Sequence, residues 1–231
     1  MIWIALFLVS TVIYYIYTDV QLMKKGLNSI PKADIYRSML TTQWSLVAIL
    51  LALWWVVGLS FKDLYMLNAE SNLSFLLENK QMFAGFLTGA AVVVIVMPFL
   101  MLKSKDVSAF EKIDFMLPKT LGQRVVFFFV ALTAGISEEL LFRGATTYVL
   151  MNSGFDMPIW MVGAIGAVLF GLAHWYQGVS GVVMTGFLCF ALFNIYVETG
   201  SLLIPIVFHF LIDVKFVFMP DMTKRGKVAT N

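Results

Sequence analysis

A handful of ionisable residues lie in apolar surroundings in the second half of this chain, at spacings that could serve chemistry. Ile136 to Arg143 reads Ile-Ser-Glu-Glu-Leu-Leu-Phe-Arg, inside the otherwise apolar run Val125–Leu150. Each such charge costs about 2.5–3.5 kcal/mol at a bilayer centre, so three of them need a reason. At 100° per residue, Glu139 and Arg143 share a helix face in the favoured acid-before-base order. Glu138 points roughly 100° away and lacks that partner. Further on come Phe170-Gly-Leu-Ala-His174, with the aromatic one turn before the histidine, and His209-Phe-Leu-Ile-Asp213, two polar groups on one face. Three helices could bring Glu138, His174, His209 and Asp213 to one centre. Such a centre could move protons. Glu138, His174 and His209 also make a His₂Glu set of the kind that hydrolytic zinc sites use with an open water position.

The elements that must position these groups are membrane helices. Of the 231 residues, 60% are hydrophobic and 13% charged, with a mean hydropathy of +0.86, against about 25% charged in soluble domains. The fold class is all-α, a polytopic membrane bundle of about seven transmembrane helices, with six to eight as the range. The spans are roughly Met1–Tyr17, Thr41–Phe61, Met82–Leu102, Val125–Leu150, Met157–Tyr176, Val179–Val197 and Ser201–Met219, each long enough for a ~30 Å hydrocarbon core. The first has no basic n-region and reads as a retained helix. Gly163, Gly166, Gly171, Gly181 and Gly186 would let helices approach closely. The segment Lys103–Arg124 reads as a short amphipathic interfacial helix, and Lys215 as a snorkelling side chain.

Charge sets the orientation. Lys24, Lys25, Lys32, Arg37, Lys103, Lys105, Lys112, Lys119, Arg124, Lys224, Arg225 and Lys227, 12 of the 16 basic residues, fall on one side of a seven-helix arrangement. The positive-inside rule then puts the N-terminus outside and the C-terminus in the cytoplasm. Residues 1–123 read as scaffold helices with cytoplasmic loops, 124–219 as the helix bundle that carries the ionisable residues and 220–231 as a basic cytoplasmic tail. A net charge of +2 argues against a nucleic-acid partner, and the lone Cys189 excludes an intrachain disulfide. One geometric problem follows from these spans. At ~1.5 Å per residue, Glu138 lies about 21 Å in from Arg124 and His174 about 24 Å in from Pro158 at the opposite face. Straight helices leave them roughly 15 Å apart in depth, so helix 4 must start below the surface, or tilt and breaks at Gly135 or Gly144 must close the gap.

Glu138-Glu139-x-x-x-Arg143, Phe170-x-x-x-His174 and His209-x-x-x-Asp213, in this order on separate apolar helices, resemble the motifs of the CPBP family. These are the CAAX-processing and bacteriocin-processing intramembrane proteases, also called the abortive-infection family. The stretch Thr199-Gly-Ser-Leu-Leu-Ile-Pro205-Ile-Val-Phe-His209 is similar to that family's approach to its last motif. The resemblance covers about Arg124 to Asp213. It implies an intramembrane endopeptidase in which Glu138 is general base on a water together with His174, while His209 and Asp213 stabilise the oxyanion. Glu139, Arg143 and Phe170 are its structural support. Many members carry Asn where this chain has Asp213; an ionised Asp213 would orient His209, a protonated one would donate. The implied mechanism is metal-free, with zinc on Glu138, His174 and His209 the less favoured alternative. The implied partners are the lipid bilayer and a peptide or protein substrate, prenylated or membrane-associated, reached through a cavity among helices 4 to 7. In a bacterium the location would be the inner membrane.

Three other readings use the same residues. Gly178-Val-Ser180-Gly181 has the GxSG form of a serine intramembrane protease, but Ser180 then lies in a loop and Glu138 and His174 are unexplained. A non-catalytic immunity or scaffold protein could bind a peptide in the same cleft. A proton-coupled transporter would use Glu138 and the histidines as a relay, but no paired-repeat pattern accompanies it.

Overall fold

A computed structural model describes residues 1–67, 80–96, 99 and 113–219. Among them every regular element is a helix, and one isolated bridge joins Met66 to Ser201. The apolar runs become α1 (Ile2–Lys25), α2 (Lys32–Val56), α4 (Lys80–Ala91), α5 (Leu121–Met151), α6 (Ile159–Leu172), α7 (Gly178–Thr199) and α8 (Leu203–Phe218), with a short α3 (Phe61–Tyr65) between α2 and α4. Local sequence explains the ends. Thr120 and Gln123 close a capping box on α5, and Ser60 and Asp63 close one on α3. Pro31 and Pro158 stand immediately before α2 and α6, where a missing N–H costs nothing. Gly200, at φ 65°, ends α7 in the left-handed conformation that glycine adopts without strain.

α1, α2, α5 and residues 175–199 are long and apolar enough to cross a membrane. Their outward faces are greasy: Trp55 is 81% and Phe187 71% exposed, surface that only lipid would cover favourably. The chain is an integral membrane protein. Inside, Ile4, Leu8, Leu50 and Trp54 of the first two helices pack with Leu141, Phe142, Phe170, Phe193 and Tyr196 in one cluster. α6 and α7 meet at small residues. A Cβ on Gly171 would come within 2.6 Å of the Val182 carbonyl oxygen, so only glycine permits this approach. Gly163 likewise faces the Phe193 ring, and Gly186 the Ala167 carbonyl. Arg124, in the first turn of α5, reaches across to the end of α8 and donates to the carbonyls of Val217 and Met219 at 2.5 and 3.0 Å. It thus satisfies carbonyls that a helix C-terminus leaves open.

Four expectations need correction or restriction. α6 ends at Leu172, so His174 lies in a turn rather than in a helix running to Tyr176. Lys215 does not snorkel: it is buried, donates to the Ile212 carbonyl and lies 4.5 Å from the Phe216 ring centroid. Ser180 sits in the first turn of α7 rather than in a loop. Of the expected interfacial helix, residues 103–112 lie outside the described residues, 113–116 form turns, and Arg124 belongs to α5. Pro98 and the tail 220–231 also lie outside them.

Candidate active site

The acidic motif sits where α5 changes pitch. Leu121–Glu138 is regular α-helix, Glu139–Ala145 winds as a π-segment, and Thr146–Met151 returns to α-helix. Such wide turns recur at functional sites. Within this one, Arg143 Nη1 donates to Glu139 Oε1 at 2.6 Å, and both side chains are fully buried. The Arg143 guanidinium also lies 4.7 Å from the centroid of the Phe170 ring, a face that attracts a cation. His209 Nδ1 is 2.7 Å from the same Glu139 oxygen. Since a carboxylate only accepts, Nδ1 carries the proton and Nε2 is directed elsewhere.

That other direction is Glu138. Its Oε2 is 3.7 Å from His209 Nε2 and 4.0 Å from His174 Nε2, while Asp213 Oδ2 is 3.7 Å from His209 Nε2. His174 Nδ1 lies 2.8 Å from the Phe170 carbonyl oxygen. A carbonyl cannot donate, so the proton sits on Nδ1, and Nε2 presents a lone pair on the Glu138 side. Phe170 packs against both imidazoles, its ring centroid 4.5 Å from that of His174 and 6.1 Å from that of His209. The structure therefore brings Glu138, His174, His209 and Asp213 together, with Glu139, Arg143 and Phe170 packed behind them. The expected depth mismatch disappears because α5, at 31 residues, is longer than a bilayer is thick, while α6, at 14, is shorter. The helix widens over Glu139–Ala145 rather than breaking at Gly135 or Gly144.

Glu138 and His174 open on a cavity of about 330 Å³. Its other walls come from α1 and α2, including Tyr15, Asp19, Met39 and Gln43, and from Phe115, Met116 and Phe142, with no lining residue from α6, α7 or α8, so it is not the expected cavity among α5–α8. Gln43 is a residue that sequence reasoning missed. It is buried, and its Nε2 donates to Glu138 Oε1 at 2.9 Å. The two oxygens of Glu138 thus have separate assignments, one held by Gln43 and one facing the histidines. A lone glutamine in an amphipathic run carries no spacing signal that could have flagged it.

The donors do not fit a zinc ion as they stand. Ligands about 2.0–2.1 Å from a tetrahedral zinc lie about 3.3 Å from one another, less than the 3.7 and 4.0 Å separating Glu138 Oε2 from the two histidine nitrogens. Among the described residues no three His, Cys, Asp or Glu side chains are grouped as a metal-binding set.

Residues 120–214 match the sequence model of a family described as type II CAAX prenyl endopeptidase Rce1-like. The matched segment, under half of the chain, opens at the capping residue of α5, closes one residue past Asp213 and contains every residue of the three motifs. It bears out the family resemblance that those motifs carry. No curated protein and no solved structure matches the chain.

Proposed function

We propose that this chain is an intramembrane endopeptidase that hydrolyses a peptide bond with a water activated by Glu138 and His174. The convergence of Glu138, His174, His209 and Asp213 carries this reading. The 4.0 Å between Glu138 Oε2 and His174 Nε2 is too long for a direct hydrogen bond and short enough for one water to contact both. Glu138 takes a proton from that water as its oxygen attacks the scissile carbonyl, and the Nε2 lone pair of His174 holds the second hydrogen in line. The carbonyl oxygen becomes an oxyanion near His209 Nε2. With Nδ1–H given to Glu139, a proton on Nε2 makes His209 an imidazolium, the form that donates to an oxyanion. Asp213, 3.7 Å from the same Nε2, favours that charged form. Protonated Glu138 then passes its proton to the departing amine, so the acid–base balance closes.

The cavity and the family match support a reading of the substrate class. A cavity that sets apolar side chains such as Leu22, Ile35, Met39 and Phe115 beside polar ones such as Asp19 and Gln43 suits a prenylated or otherwise membrane-associated peptide chain, whose scissile bond would meet Glu138. In this reading residues 124–219 form the catalytic bundle, residues 1–123 wall the substrate cavity, and 220–231 are a basic tail. The N-terminus is outside and the C-terminus cytoplasmic, supported by 12 of 16 basic residues on one side. Incubating the purified protein with a peptide library, alongside Glu138→Ala, tests the proposal. Cleavage by the natural chain and none by the variant is the expected result. A folded Glu138→Ala protein that cleaves like the natural one would rule out the assigned base, and no cleavage by either would favour a peptide-binding role.

A further inference from the structure

We propose that Asp19, on α1, is a positioning residue of this site that holds the turn presenting His174; the proposal rests on the reading of Glu138 and His174 as the catalytic pair. The turn needs an anchor. After Leu172 the chain leaves α6, and Trp175–Gln177 forms a single 3₁₀ turn with His174 as its N-cap residue at φ −114°, ψ 33°. A side chain at that position ordinarily accepts a hydrogen bond from the first turn of its own helix. His174 makes no such bond. Asp19 supplies it instead: its Oδ2 accepts the Tyr176 N–H at 3.1 Å, from 157 positions earlier in the chain.

The exchange has a chemical consequence. With its own turn capped by Asp19, the His174 imidazole is available to place Nδ1 on the Phe170 carbonyl and Nε2 toward Glu138. A histidine that capped Tyr176 itself would point its ring away from Glu138. Asp19 is only 6% exposed, and a buried carboxylate without a donor is costly, so this contact is a fixture of the fold. The Tyr176 side chain reinforces it: Phe115 packs edge-on at 5.6 Å between centroids, and the Gln177 amide donates to the Tyr176 hydroxyl at 3.0 Å. Neither Asp19 nor Phe115 falls in the segment 120–214 matched by the family.

The chain has two histidines, so histidine-labelled protein in detergent gives two imidazole signals, which His209→Gln assigns. Asp19→Ala should lower kcat about 10- to 100-fold through misplacement of His174, with KM within about threefold. It should move the His174 signals and leave those of His209 in place. Asp19→Asn keeps an acceptor oxygen and should restore kcat to within about threefold together with the natural His174 signals. The proposal is overturned if Asp19→Ala leaves kcat and His174 untouched, if it displaces both histidines equally, or if Asp19→Asn is as damaged as Asp19→Ala. Should Asp19→Ala not fold, the Asp19→Asn spectrum decides: a natural His174 signal supports the anchor and a displaced one refutes it. Wild-type cleavage by Glu138→Ala would refute the catalytic reading, while the imidazole signals would still report whether Asp19 holds the turn.

Discussion

On one side of α5, Glu139 is fully buried and clamped by Arg143 at 2.6 Å and His209 at 2.7 Å; on the next, Glu138 has its nearest histidine nitrogens at 3.7 and 4.0 Å and borders a cavity of about 330 Å³. These adjacent residues of one type differ by the room around them. Short contacts leave no place for another molecule, so the Glu139 side can only hold shape. Gaps one water wide leave Glu138 exposed to whatever enters. Spacing rather than residue type separates the two carboxylates, with Gln43 holding one Glu138 oxygen while the other faces the histidines.

This contrast can be broken experimentally. The largest effect should come from Glu138→Ala, which removes the proposed general base. A fall in cleavage of about 10²–10⁴-fold is expected, with detergent-solubilised melting nearly unchanged. Arg143→Ala should do the reverse, acting on stability first. It strands the Glu139 carboxylate in the interior, a loss of about 3–5 kcal/mol that melting and folded yield would register. A double variant, Glu139→Gln with Arg143→Met, removes both charges and should recover much of that loss; failure to recover would show that Glu139 has a role beyond pairing. Gln43→Met keeps the shape and deletes one charge-assisted hydrogen bond. It should lower kcat about tenfold, measured on a peptide that natural protein cleaves. The smallest effect is expected from a chelator: turnover should change less than about twofold, because the donor separations are too wide for zinc.

Much of this was legible in the chain. Seven apolar runs marked the helices, and the spacing Glu139–Arg143 marked its ion pair, because both signals are local and periodic. The three motifs named the residues that converge. What local pattern could not show was Gln43 or Asp19. Each is one polar residue among several in its helix, with no spacing to single it out, and its partner lies about a hundred positions or more away. The end of α6 was hidden for the same reason. Phe-Gly-Leu-Ala-His-Trp-Tyr is as apolar as the helix before it, and the turn at His174 is set by the tertiary contact from α1. Lys215 was misread because its buried carbonyl partner, Ile212, offers no charge to signal it.

The shortness of α6 bears on the membrane itself. Fourteen residues rise about 21 Å, against about 30 Å of hydrocarbon. The helix is not wrapped by protein: Trp160 and Val168 are exposed on its flank. Lipids against that flank must thin or let their headgroups dip to match it. His174 lies two residues past one end of this short helix. A bilayer thinned at that end would give bulk water and a peptide backbone less oil to cross than along the 31-residue α5. On the proposed reading, the thinned lipid beside a short helix would be part of the route by which reactants reach the site.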